Sequence, residues 1–91
     1  MTFTLLLSRT AQKALDELSP NAMKKIYAHL EELKIDPYRP RPRVDIVPVE
    51  GSKITYRLRI GKHRVEYEVY KNDNIIKISK IFQKKRKSDY R

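Results

Sequence analysis

The segment Tyr56-Arg57-Leu58-Arg59-Ile60-Gly61-Lys62-His63-Arg64-Val65-Glu66-Tyr67-Glu68-Val69 leaves the chain little choice. It alternates apolar and polar side chains on both sides of a Gly-Lys pair, the pattern of a β-hairpin buried on one face. With Gly61-Lys62 as a two-residue turn, glycine supplying the positive φ of type II′, Tyr56 faces Tyr67, Leu58 faces Val65 and Arg57 faces Glu66. The same register sets Arg59 against Arg64, two cations with Cβ atoms roughly 4.5–5.5 Å apart, where like charges destabilise a sheet. Folding gains nothing from that opposition, and a polyanion would relieve it. The arginine cluster is therefore the first candidate site.

Around the hairpin the pattern changes period. Thr2–Leu7 reads as an opening strand, and Ser8 as the N-cap of an amphipathic helix over Arg9–Leu18 with Ala11, Ala14, Leu15 and Leu18 on one stripe. Ser19-Pro20 ends that helix and caps the next, in which Met23, Ile26, Tyr27, Leu30 and Leu33 recur at helical spacing up to about Lys34. Pro37, Pro40 and Pro42 then make Tyr38–Arg43 an extended basic connector. Val44, Ile46 and Val49 suggest a strand with Pro48 at an edge or near its end. Thr55–Ile60, His63–Tyr70 and Ile75–Phe82 follow, joined by turns at Gly51, Gly61 and Lys71-Asn72-Asp73-Asn74. The order reads β-α-α-β-β-β, an α+β fold in which four closely spaced C-terminal strand segments imply an antiparallel meander with the helix hairpin packed on one face. Tyr56, Leu58, Val65, Tyr67 and Val69 are expected to face Leu15, Leu18, Ile26 and Leu30. One domain is expected over 1–91, with a basic tail at 83–91.

Charge points the same way as the hairpin. Residues 1–36 hold five basic and five acidic side chains, whereas residues 37–91 hold sixteen basic and six acidic ones and so carry the whole net charge of +10. A neutral scaffold with a cationic working surface suits nucleic acid, an anionic membrane or an acidic protein. No apolar run approaches ~18 residues and no basic-then-apolar leader is present, so neither a membrane span nor a secretory signal is expected. The absence of cysteine fits a reducing cytoplasm.

The inventory of reactive groups narrows the chemistry. With no cysteine, two histidines far apart in sequence and no carboxylates at ligand spacing, metal binding is not expected. With two glycines there is no phosphate loop, and no serine elbow is present, so no cofactor is expected. What remains is Arg57, Arg59, His63, Arg64, Lys85, Arg86 and Tyr90. Such a set suits RNA cleavage without a metal, in which a 2′-hydroxyl attacks the adjacent phosphate and cations stabilise the extra charge. Arg57 also has a structural reading as the partner of Glu66. Arg59 and Arg64 have no obvious partner. His63 flanks the turn, His29 lies on the charged side of its helix, and Tyr56 and Tyr67 read as core.

The order of elements, the Tyr56–Val69 segment and the ending Lys85-Arg86-Lys87-Ser88-Asp89-Tyr90-Arg91 together resemble the RelE/ParE superfamily of toxin–antitoxin toxins, over essentially the whole chain. The hairpin is shared across that superfamily, including ParE-type gyrase poisons, while the tail resembles RelE-type ribosome-dependent mRNA endonucleases. The resemblance implies that Arg57, Arg59, Arg64, Arg86 and Tyr90, with Lys85, grip and activate a scissile phosphate. Arg41, Arg43, His63, Lys84 and Lys87 would contact RNA. Arg59 stands where the best-studied type of the family has lysine, and because guanidinium stays protonated its role is electrostatic. His63 stands in place of a tyrosine, leaving the general base open among Tyr90, Lys85 and His63. The implied partners are the ribosome, mRNA in its A site, and an acidic RelB-like antitoxin that covers the cationic surface. Two alternatives remain open, a ParE-like gyrase poison and a catalytically silent basic binding module.

Overall fold

The helices begin where hydroxyl side chains can satisfy their first free N–H groups. In the computed structural model, which describes residues 2–84, Ser8 Oγ accepts from Ala11 N (3.0 Å) at the start of α1, Arg9–Asp16. Ser19 Oγ accepts from Ala22 N (3.3 Å) at the start of α2, Pro20–Ile35, with Pro20 in the first turn. Helix α1 stops two residues short of the expected Leu18. Its stripe still delivers Ala11 and Leu15 to the core, and α2 delivers Ile26, Leu30 and Leu33.

The strands are β1 (Thr4–Leu7), β2 (Asp45–Pro48), β3 (Thr55–Ile60), β4 (His63–Tyr70) and β5 (Ile75–Gln83). A short 3-10 turn at Lys71–Asp73 joins the last two. Four strands thus follow the helices, one more than the β-α-α-β-β-β order counts, and β2–β5 form the expected antiparallel meander. Strand β1 adds in parallel to β5, so the sheet is mixed, in the order β1-β5-β4-β3-β2. Pro48 ends β2 at the sheet edge, where a missing N–H does least harm. The Tyr38–Arg43 connector is less extended than expected, because Arg41 and Val44 close a tight turn with Arg43 at φ 70°.

The hairpin register is the one the alternation implies. Tyr56 pairs with Tyr67, Arg57 with Glu66, Leu58 with Val65 and Arg59 with Arg64 across β3 and β4. Gly61 turns at φ 57° while Lys62 keeps a negative φ, as type II′ requires. Leu58, Ile60, Val65, Tyr67 and Val69 are buried with Leu15, Ile26 and Leu30 in one core, and Tyr56 and Leu18 pack against it half-buried. Tyr67 is fully buried, and its hydroxyl donates to Pro37 O at 2.7 Å. That bond ties the connector to the sheet and keeps a buried phenol satisfied.

A β-bulge between Glu66 and Tyr67 breaks the β4–β5 ladder. Glu66 pairs with Lys80 and Tyr67 with Ile78, so Ser79 has no partner of its own in the ladder. Side chains hold the extra residue in place: Ser79 Oγ donates to Glu66 O (3.0 Å) and Ser79 O accepts from Ser8 Oγ (2.9 Å). The bulge also exchanges the two faces of β5. Strict alternation from Ile76 and Ile78 would send Lys80 and Phe82 inward, whereas after the bulge Ile81 is buried and Phe82 is exposed.

Candidate functional site

The polar face of the β3–β4 hairpin gathers the expected cations. Arg57, Arg59 and Arg64 line one open hollow of about 440 Å³ with Val47, Phe82 and Lys84. Alternation along the two strands puts these arginines opposite the core, and the end of β5 brings in Phe82 and Lys84. Lys84 N donates to Lys62 O at 2.6 Å, which carries the chain past the hairpin turn at the hollow's rim. Lys85, Arg86, Lys87 and Tyr90, expected to complete the site, lie outside the described residues.

The three arginines differ in what already holds them. Arg57 Nη2 donates to Glu66 Oε2 at 2.8 Å, and Glu66 is only 15% exposed, so this guanidinium is braced by a sheltered carboxylate. It also lies over the Phe82 ring, 5.8 Å from the centroid. Arg59 corrects an expectation, because it has a partner. Its Nε and Nη2 both stand 2.8 Å from Asp45 Oδ2 on the neighbouring strand β2, where Asp45 is paired directly with Arg59. This contact relieves part of the Arg59–Arg64 opposition by turning one cation aside. Both side chains are about half exposed, so the pair is a surface contact of about 0.2–1 kcal/mol that a stronger anion can displace. Arg64 pairs with no carboxylate among the described residues. It folds back so that Nη1 donates to Gly61 O (2.8 Å) and His63 O (2.9 Å).

Three other candidates sit elsewhere. His63 pairs with Ile60 at the turn, and alternation places it on the inward face with Val65 rather than beside Arg59 and Arg64. Burial lowers its pKa, with Lys62 and Lys25 adding to the effect, and its Nε2 is buried without a hydrogen-bond partner among the described residues. A neutral, inward imidazole is not placed to touch a phosphate in the arginine hollow. Arg41 is committed to the end of α2. Its side chain is 18% exposed, with Nη2 donating to Glu32 O (2.8 Å) and Nη1 to Asp36 O (3.0 Å) and Arg39 O (2.7 Å). It therefore places a cation against the C-terminal end of α2 and braces the turn that follows, a structural role. Arg43 is exposed but lines a separate shallow hollow with His29, Glu32 and Pro42.

Sequence reasoning missed Asp45 and Phe82. Asp45 would follow from aligning β2 with β3, which the intervening turn does not dictate. Phe82 had a visible signal in Lys80-Ile81, which breaks the alternation of β5 and is the mark of a bulge. Among the described residues the arrangement offers a wide, shallow cationic surface with one aromatic ring, suited to an extended polyanion rather than an engulfed small molecule.

The chain is similar to known proteins in sequence and in structure. The model of the family described as ParE toxin of type II toxin-antitoxin system, parDE, matches residues 5–88. A Methanocaldococcus jannaschii protein named "Putative toxin RelE1" is 41% identical over 81 residues, covering 89% of each chain. Among solved structures, the archaeal RelE-RelB complex from Pyrococcus horikoshii OT3 is similar at TM-score 0.81 and 31% identity, over 94% of this chain and 99% of that one. The isolated E. coli RelE toxin shares the fold at TM-score 0.79 and 17% identity, over 97% of this chain and 90% of that one.

Proposed function

The chain belongs to the RelE/ParE superfamily of type II toxin–antitoxin toxins, and on that premise we propose that it is a RelE-type, ribosome-dependent mRNA endonuclease acting in the cytoplasm. The observation that carries this reading is the hollow itself: Arg59 and Arg64 directly opposed on one face, with Lys84 beside them just past the end of β5. In the reaction a 2′-hydroxyl of the message loses its proton and attacks the adjacent phosphorus. The bond to the 5′-oxygen breaks, that oxygen takes up a proton, and a 2′,3′-cyclic phosphate remains. No metal is required, since Arg64 and Arg59 stabilise the dianionic transition state, Arg59 exchanging Asp45 for phosphate as it does so. Arg57 supports the face from its ion pair with Glu66. Arg86 and Tyr90 supply the further charge and the phenol that the family's tail implies. With His63 on the other face, Tyr90 and Lys85 are the candidates for general base.

So shallow a site does not align a bound flexible strand for attack by itself, and presentation of the codon by the ribosome supplies the alignment. The partner that silences the toxin is an acidic RelB-like antitoxin covering the same cations, as the Pyrococcus horikoshii RelE was crystallised with RelB. Induced expression, followed by primer extension on translated transcripts, tests the reading. Cuts inside codons that vanish when translation is blocked support it, and intact transcripts during growth arrest oppose it. The match to a ParE family description favours one second reading, poisoning of DNA gyrase through a protein contact. Loss of supercoiling activity in a purified gyrase assay would identify that case.

A further inference from the structure

Phe82 is 36% exposed although burying a phenylalanine is worth about 1.5–3 kcal/mol. The bulge at Ser79 spends a ladder position to turn this ring outward while Ile81 fills the core in its stead. Among the described residues it is the one aromatic side chain lining the arginine hollow, with Arg59, Arg64 and Lys84 around it. One side of it is braced by the Arg57 guanidinium, itself held by Glu66 at 2.8 Å. A fixed flat apolar surface surrounded by cations matches the chemistry of a nucleotide, whose base offers a π-face and whose phosphate seeks positive charge.

We infer that Phe82 is a stacking platform for one base of single-stranded RNA, next to the phosphate held by Arg64 and Arg59, and that it sets a base preference at that position. Arg57 and Glu66 are positioning residues for the ring. The inference rests on the endonuclease reading and adds to it the group that recognises a base. Purines, with the larger π-face, are favoured over pyrimidines there.

The test uses the purified full chain and a five-nucleotide RNA carrying 2′-O-methyl groups, which cannot be cut by 2′-hydroxyl attack, with an abasic site moved along it. Binding is read at low salt by fluorescence polarisation. One abasic position should weaken binding to the wild type by about 5- to 150-fold, the worth of one stacked base. Phe82→Ala should show the same loss with the intact RNA and become indifferent to that abasic site, while Phe82→Tyr and Phe82→Trp keep wild-type behaviour and all variants melt alike. Phe82→Ala binding every RNA as the wild type does would overturn the inference, and so would an abasic penalty that survives the substitution. Loss of antitoxin binding with RNA binding intact would also overturn it, marking the ring as a protein contact. Cleavage of ribosome-presented message separates the two claims. Wild-type cutting with an unaltered base preference in Phe82→Ala removes only the platform, whereas the stacking pattern without any cutting removes only the endonuclease.

Discussion

Arg59 and Arg64 show how much one register argument can deliver. Their opposition followed from alternation and a two-residue turn, and the structure has it. The relief through Asp45 was illegible, because Asp45 lies on another strand beyond a turn that fixes no pairing. Asp45→Asn should therefore free Arg59 and tighten binding of single-stranded RNA about 1.5- to 5-fold at low salt, the worth of a surface ion pair. Unchanged affinity in a filter-binding titration would mean that Arg59 is not a phosphate ligand. His63 was ambiguous in sequence because turn residues are commonly incidental while loops also carry function, and its place on the inward face opposite Ile60, with Nε2 buried, sets it apart from the arginines. Its lowered pKa makes a prediction with a definite sign. Below about pH 6.5 an unfolded histidine binds a proton that the folded one still refuses, so the unfolded state holds more protons and stability falls as pH falls through that window. The melting temperature of the wild type should drop more between pH 7 and pH 5 than that of His63→Leu. Parallel curves would contradict a sheltered imidazole.

At the scale of elements, helices and hairpin were readable because their signals are local: Ser8 and Ser19-Pro20 cap, Gly61 turns, and apolar side chains recur at fixed periods. The parallel pairing of β1 with β5 was not, since it joins Thr4 to Ile75 across most of the chain and leaves no mark in either segment. The bulge, by contrast, left a mark in the broken alternation at Lys80-Ile81, although its support did not. It is stabilised from outside β5, by Ser8 Oγ donating to Ser79 O at 2.9 Å while accepting from Ala11 N. One hydroxyl thus caps α1 and fastens the bulge that turns Phe82 outward. Ser8→Ala should cost about 1–2 kcal/mol from the cap alone, and for a domain of this size each kcal/mol lowers the melting temperature by about 4–8 °C. Differential scanning calorimetry reads the shift. A melting temperature within a degree of wild type would show that the hydroxyl does not couple the two elements.

The whole molecule is a charge-neutral N-terminal segment of 36 residues joined to a C-terminal portion that bears all the net positive charge. Its sheet presents apolar side chains to two helices on one side and cations to solvent on the other. That division was legible from composition and alternation together, since both depend on local sequence alone. Binding through such a face must release counterions, so affinity for RNA or ribosomes should fall with salt at a slope of about −0.7 per phosphate neutralised on a single strand. A flat salt dependence would favour a gyrase-like protein contact instead. The central claim is that opposed cations on this face, with the arginine of the tail, cleave message held by the ribosome. Purified protein added to ribosomes halted on a defined message, with cut sites read by primer extension, tests it most directly. The wild type should cut within the A-site codon and leave the free message intact. Arg64→Ala and Arg86→Ala should each lower the rate by about 10²–10³-fold without changing the melting temperature. Cleavage at the wild-type rate by the double variant, or none by the wild type, would contradict the account.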